Sequence, residues 1–204
     1  MTVSSSRLKL LRSKLLFVPV FKTEDEKKLL TEGAEHIRTL LSGVMDALTV
    51  KVDAREEMRP ADKYFYWIQR GVPLRLEYGS KDHASGTVMA VRRDTREKIS
   101  IPVSEVADRV PQILADIQKT LFDKALALRK ANTFPVRSYD EMAEIIERGG
   151  GFIEAMWDGS KDTANLVKEK LKATIRVILA EDSTGKCAVS GKPSKYRVIY
   201  AQSY

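Results

Sequence analysis

Apolar positions recur along this chain with two periods, and each change of period marks an element. The run Leu15-Leu16-Phe17-Val18-Pro19-Val20 is short, continuous and bounded, the pattern of a parallel strand buried on both faces. Thr23 and Glu26 form a capping box, after which Leu29, Leu30, Gly33, Ile37, Leu40 and Leu41 fall at helical spacing until Ser42-Gly43 ends the run. A strand is expected over 48–52 and a helix over 60–70, stopped by Gly71. Val72, Leu74, Leu76 and Tyr78 then alternate with Pro73, Arg75 and Glu77, which predicts a strand with one buried and one polar face. Residues 87–93 and 98–102 read as a hairpin joined by Asp94-Thr95-Arg96-Glu97. Ser104 is placed as the cap of a long helix through Val106, Val110, Ile113, Leu114, Ile117, Leu121, Ala125 and Leu128.

The segment 131–135 breaks that helix at Pro135, and Ser138 with Glu141 forms a second capping box leading Met142, Ile145 and Ile146. Gly149-Gly150-Gly151 turns into a strand at 152–156, a helix follows over about 163–171, and strands are expected at 174–179 and 196–200. The resulting organisation is a lead at 1–13, an α/β domain over 14–131 and a small α+β domain over 132–204. Strands alternating with helices give the larger domain a layered mixed sheet.

Composition narrows the chemistry. Among 204 residues, 43% are hydrophobic, enough for buried cores, and a single cysteine, Cys187, excludes an internal disulfide framework. No apolar run has the length of a membrane span or a signal-peptide core, so a soluble cytoplasmic protein with no membrane partner is expected. His36 and His83 lack the spaced partners of a metal site, and Cys187 has no histidine after it in the chain to act as its base, so no catalytic residue is assigned. Thirty-five Lys and Arg against twenty-eight Asp and Glu, net +7, favour a polyanionic partner. The excess is local to the central strands, where Arg70, Arg75, Lys81, Arg92, Arg93, Arg96 and Lys98 face Glu77, Asp82, Asp94 and Glu97. Such a stretch suits contact with RNA phosphates and guanine edges, and is equally the pattern of a solvated sheet face.

The run from Lys63-Tyr64 through Trp67, Gly71-Val72-Pro73, Arg75-Leu76-Glu77 and Gly79-Ser80-Lys81-Asp82 resembles the anticodon-binding domain of archaeal/eukaryotic-type prolyl-tRNA synthetase. The likeness extends to Phe17-Val18-Pro19-Val20, Val52-Asp53-Ala54-Arg55, Gly86-Thr87-Val88 and Val91-Arg92-Arg93-Asp94-Thr95. In the second domain, Gly151-Phe152, Ala155-Met156-Trp157, Ala173-Thr174-Ile175-Arg176, Gly185-Lys186-Cys187 and Tyr196-Arg197-Val198 resemble that family's C-terminal zinc-type domain. The resemblance implies the class II synthetase anticodon-binding fold and a tRNA partner. Arg75 and Lys81 take the places of RNA-contacting residues, with Lys98, Gln69 and Arg70 beside them as further candidate contacts. The family glutamate after the tryptophan is Ile68 here, and the four family cysteine positions are Asp158, Thr163, Cys187 and Ser190. No zinc is therefore expected, and apolar packing is expected to hold the small domain. Tyr204 takes the place of the terminal tyrosine whose carboxylate approaches the active site in this family. The class II catalytic domain, with its ATP and Mg²⁺, is not found in this sequence, so the chain is expected to need no cofactor of its own, to be inactive alone, and to act with a catalytic domain in the same or another chain. A free-standing paralogue, serving as a general RNA-binding or protein-interaction module, is the alternative.

Overall fold

A computed structural model describes residues 14–46, 49–181 and 184–202. The lead at 1–13, Leu48 and the terminal Tyr204 lie outside them. Two compact units divide at Asp123 and Lys124, within a helix that runs to Ala131.

In the first unit, β1 (Leu15–Val20) is followed by α1 (Glu24–Ser42), β2 (Val50–Val52), α2 (Pro60–Gln69) and β3 (Leu74–Gly79). A short helix α3 (Ser80–Ser85), the hairpin β4 (Thr87–Arg92) and β5 (Lys98–Pro102), and α4 (Val106–Ala131) complete it. The sheet has the order β2-β1-β3-β4-β5. β1 lies parallel to both neighbours, with Leu15 opposite Leu74 and Leu16 opposite Arg75, while β4 and β5 add antiparallel.

The continuous apolar run of β1 has a two-sided reason. Leu15 and Phe17 join Leu74, Leu76 and Tyr78 in a core closed by Leu30, Ala34, Ile37 and Leu41 of α1 and by Val106, Val110, Ile113, Leu114 and Ile117 of α4. Leu16 and Val18 face the opposite way, against Val72 and the Tyr64 and Trp67 rings of α2. Gly33 lets α1 approach: a Cβ there would lie 2.7 Å from Tyr78 Cε1. α1 starts as its sequence dictates, with Thr23 Oγ1 accepting from Glu26 N and Glu26 accepting from Lys22 N.

Several local expectations need correction. Ser104 does not cap α4; it sits in a 3₁₀ turn, Val103–Glu105, pinned by Val103 N donating to Gly86 O, and the helix begins after it. His83 lies on α3, not in a loop. Leu29, Leu40, Leu121 and Leu128 follow the helical spacing yet are exposed. No membrane-crossing helix occurs among the described residues.

The second unit places β6 (Thr133–Pro135), a strand not expected from the sequence, before α5 (Tyr139–Glu147), β7 (Phe152–Trp157), α6 (Lys161–Leu171), β8 (Ala173–Glu181) and β9 (Tyr196–Gln202). Its sheet runs β6-β7-β9-β8, over a core including Met142, Ile153, Val167, Val198 and Tyr200. Gly151, at φ +148°, feeds β7; an added Cβ would lie 2.8 Å from Phe134 Cε2 and 3.0 Å from Asn132 O. Gly151→Ala combines that collision with a backbone disfavoured for L-residues, and is expected to cost about 2 kcal/mol. Urea denaturation of this unit, followed by Trp157 emission, checks it.

Candidate nucleic-acid interface

At the amino ends of β1 and β3 a cleft of about 580 Å³ opens between α2 and the β4–β5 hairpin. Its volume is that of a small-ligand site, typically ~300–1,000 Å³. Leu16, Val72 and Val91 form an apolar floor with the rings of Tyr64 and Trp67. Ala61, Phe65 and Ile68 form the helix wall, and Arg92, Arg93, Arg96 and Lys98 form the hairpin wall. The stripe 61, 64/65, 68 repeats at helical spacing, so this wall is present in the sequence as a pattern. Phe65, 68% exposed, and Ile68, 39% exposed, hold apolar surface open to solvent.

The cations differ in their freedom. Arg75 donates through Nε and Nη2 to Glu77 Oε1, at 2.9 and 2.7 Å, and its guanidinium lies 3.8 Å from the centroid of the Tyr64 ring. Both partners of this pair are only 17% exposed, so the polar face of β3 is a covered ion pair and not a solvated surface. Burial, together with the Glu77 charge it faces, pushes the Tyr64 hydroxyl up to about 12. Arg92 is similarly spent on Asp94, at 3.1 and 2.8 Å, and the Arg92 guanidinium holds the Asp94 carboxyl below its ordinary value. Arg93, Arg96 and Lys98 are exposed and, among the described residues, make no side-chain hydrogen bond or ion pair. Arg96, at φ +63°, occupies the left-handed position of the hairpin turn.

Of the expected contacts, the cleft brings together Arg75 and Lys98. Gln69 and Arg70 lie past its wall at the end of α2, where Arg70 stacks 3.4 Å from the centroid of the Tyr66 ring. Lys81 is on α3, beyond the carboxyl end of β3, whose strand runs roughly 13 Å from Arg75 to Gly79. Arg93 and Arg96, members of the basic stretch, line the cleft as well, together with Phe65 and Tyr64, which the sequence does not single out as contacts.

Helix α2 is held over the sheet by a buried carboxylate. Asp53, 3% exposed, accepts from Trp67 Nε1 at 2.7 Å and from Arg55 Nε and Nη2 at 2.8 and 2.6 Å. The buried Lys63 ammonium donates to Asp53 O at 3.3 Å. Burial alone would raise the Asp53 carboxyl, but the Arg55 and Trp67 hydrogen bonds outweigh it and hold it low.

The four family cysteine positions come together in the second unit, around a carboxylate. Asp158 Oδ1 accepts from Ser160 N at 2.9 Å and from Thr163 Oγ1 at 2.8 Å, and Oδ2 accepts from Ser190 Oγ at 2.7 Å. Trp157 Nε1 donates to Thr163 Oγ1 at 2.9 Å. Cys187, buried, is held through Cys187 N to Lys192 O. One thiol, one carboxylate and two hydroxyls do not fit zinc, which takes thiolate, imidazole or carboxylate donors. Here both hydroxyls donate to the carboxylate that would have to ligate.

Residues 15–113, most of the first unit, match the anticodon binding domain family. Residues 139–204 match the family described as prolyl-tRNA synthetase, C-terminal. The chain is 37% identical over 192 residues to the proline–tRNA ligase of Amoebophilus asiaticus, covering 93% of this chain and 39% of that protein. It is 39% identical over 198 residues to that of Porphyromonas gingivalis, covering 96% and 40%. The crystal structure of prolyl-tRNA synthetase from Cryptosporidium parvum complexed with L-proline and AMP superposes with a TM-score of 0.83 at 26% identity, over 96% of this chain and 42% of that one. The chain is thus a homologue of prolyl-tRNA synthetases, and spans about two-fifths of the length of the curated relatives it matches.

Proposed function

We propose that this chain binds the anticodon stem-loop of a proline tRNA, as the RNA-reading part of a prolyl-tRNA synthetase that joins proline to tRNA. The observation that carries the reading is the cleft of the first unit, where apolar and aromatic surface for a base faces three unpaired cations for phosphates. Activation of proline with ATP and Mg²⁺ is the work of a class II catalytic domain in the same or another chain, and this chain holds no cofactor. The motif at residues 63–82 and the likeness to the Cryptosporidium parvum enzyme support the archaeal/eukaryotic type. The Asp158 hydrogen bonds support a C-terminal domain of the zinc type that is closed without zinc. Cytoplasmic residence follows from the same reading.

Binding of the chain to proline tRNA, beside a tRNA with a changed anticodon, tests this at two salt concentrations. A preference for the proline anticodon is expected, with affinity falling as salt rises. Replacing Arg93, Arg96 and Lys98 together by alanine should reduce the slope of log affinity against log salt by about 2–3, one counterion for each lost phosphate contact. Binding that ignores both the anticodon and salt would overturn the proposal.

A further inference from the structure

We infer that the connection between β8 and β9 in the second unit is a further RNA contact, which holds the sugar–phosphate backbone through lysines and reads no base. This rests on the tRNA-binding reading above and adds to it a surface outside the cleft.

From Thr184 to Arg197 the sequence carries four cations and no acid. Arg197 pairs with Glu154 at 3.5 Å. Lys186, Lys192 and Lys195 are exposed and, among the described residues, make no side-chain hydrogen bond or ion pair. Their backbone is fixed. Cys187 N donates to Lys192 O at 2.8 Å, Gly191 N to Cys187 O at 2.9 Å and Ser194 N to Gly185 O at 2.9 Å, which folds the segment into a tight loop. Hydrogen bonds from Ala188 N to Met156 O and from Lys195 N to Trp157 O dock that loop on the end of β7. Gly185 allows the approach, since a Cβ there would lie 3.1 Å from Met156 Cε.

The loop also meets the start of α6. Ser190 Oγ donates to Asp158 Oδ2, and the Lys195 stem passes Gly159, whose added Cβ would lie 3.7 Å from Lys195 Cδ. Just beyond, Lys161 opens α6 behind the Ser160 cap, and it too is exposed and unpaired among the described residues. The first turn of a helix already carries partial positive charge, so a lysine there works against the helix and toward an anion beside it. Nearby acids do not cancel the group. Asp158 is committed to Ser160, Thr163 and Ser190, which leaves, among the described residues, Asp162 and Glu181 against four lysines.

Like charges gathered on a fixed loop call for an anionic partner, and nucleic acid suits this one better than protein. Protein interfaces are enriched in aromatic side chains and depleted in lysine, whereas among the described residues no large apolar side chain is exposed between 184 and 197. Lysine meets a phosphate as a point charge, without the fork that selects a guanine edge. With no exposed ring for stacking, such a surface positions the backbone and carries no sequence information.

The test uses the whole chain with Lys186, Lys192 and Lys195 replaced together by alanine, and in a second variant by arginine. Binding to whole proline tRNA and to a tRNA with a changed anticodon is read by fluorescence anisotropy across a salt series. In the alanine variant both tRNAs should lose about ten-fold at ~0.1 M salt, with the slope of log affinity against log salt reduced by about 2–3 and the preference between them unchanged. The arginine variant should bind as the unaltered chain does. Proline tRNA should also protect the three lysines of the unaltered chain from acetylation, a reading that needs no variant. Unchanged affinity and slope without protection overturns the inference, leaves tRNA binding standing and turns the loop toward an acidic protein partner. A loss confined to the proline anticodon overturns it as well. If the unaltered chain binds neither tRNA, the tRNA-binding reading falls, and the inference falls with it.

Discussion

Replacing Asp53 by alanine is expected to destabilise the first unit by about 3 kcal/mol, most of it from donors left without an acceptor inside the protein. Arg55 is 37% exposed and can turn to water, so its share is small. Trp67 Nε1–H sits under α2, and the Lys63 ammonium is buried at 2% exposure and loses the nearest negative charge. Burial already depresses Lys63, against the opposing effect of Asp53; without the carboxylate its charged form is disfavoured further. In urea the midpoint should fall with an unchanged slope, since the unfolded chain is the same size. Trp67 emission should shift in the folded protein, in a Trp157→Phe background. An unaltered midpoint would show that the Asp53 network is decoration on an already sufficient core.

The second large effect concerns Asp158. Asp158→Ala removes the charged acceptor of the Ser160 N–H and the Thr163 hydroxyl, while the exposed Ser190 hydroxyl turns to water, and a loss of about 2 kcal/mol is expected. The same group makes stability depend on acidity. Burial alone would raise the Asp158 carboxyl, but hydrogen bonds from Ser190, Ser160 and Thr163 outweigh it and hold it at about 2, below its ordinary 3.8. A carboxyl depressed on folding contributes stability that is fully present above the unfolded value and is lost as pH falls toward the folded one. The gap in stability between wild type and Asp158→Ala should therefore be widest at neutral pH and close between about pH 4 and pH 2. Urea titrations of both proteins at pH 7 and pH 3, followed by Trp157 emission in a Trp67→Phe background, measure it. A gap independent of pH would mean that the carboxylate charge does not hold this turn.

Elements set by neighbours in sequence were legible before the structure. The N-caps at Thr23 and Ser138 and the apolar run of β1 need only adjacent residues, and each forms where its pattern stands, with Glu26 and Glu141 reaching the backbone N–H just before the cap. Features decided by residues distant in the chain were not. The 3₁₀ turn that displaces Ser104 depends on the carbonyl of Gly86, and β6 exists because Thr133–Pro135 finds β7 beside it. Arg75 reads as a candidate RNA contact on the polar face of its strand, and nothing local reveals that Tyr64 of α2 covers it. Lys81 and Lys98 are both candidate contacts, and charge does not record that Lys81 lies beyond the carboxyl end of β3 while Lys98 lines the cleft at its amino end. The four family cysteine positions were legible as a departure from a metal site. The network that occupies the place was not, because apolar packing is the default substitute and a carboxylate gathering hydroxyl donors shows only in three dimensions.

The cleft opens at the amino ends of β1 and β3, whereas open α/β sheets usually bind ligands beyond the carboxyl ends of their strands. All of its polar side chains belong to arginines, a lysine and two aromatic rings. Phe65, Ile68, Arg93, Arg96 and Lys98 belong to none of the apolar clusters that hold the sheet and its helices together. The walls of the cleft and the clusters that keep the domain folded are therefore written in different residues, while the floor, with Leu16, Val72, Tyr64 and Trp67, serves both. Recognition can drift over evolutionary time, or be redesigned one side chain after another, while the scaffold beneath keeps its stability.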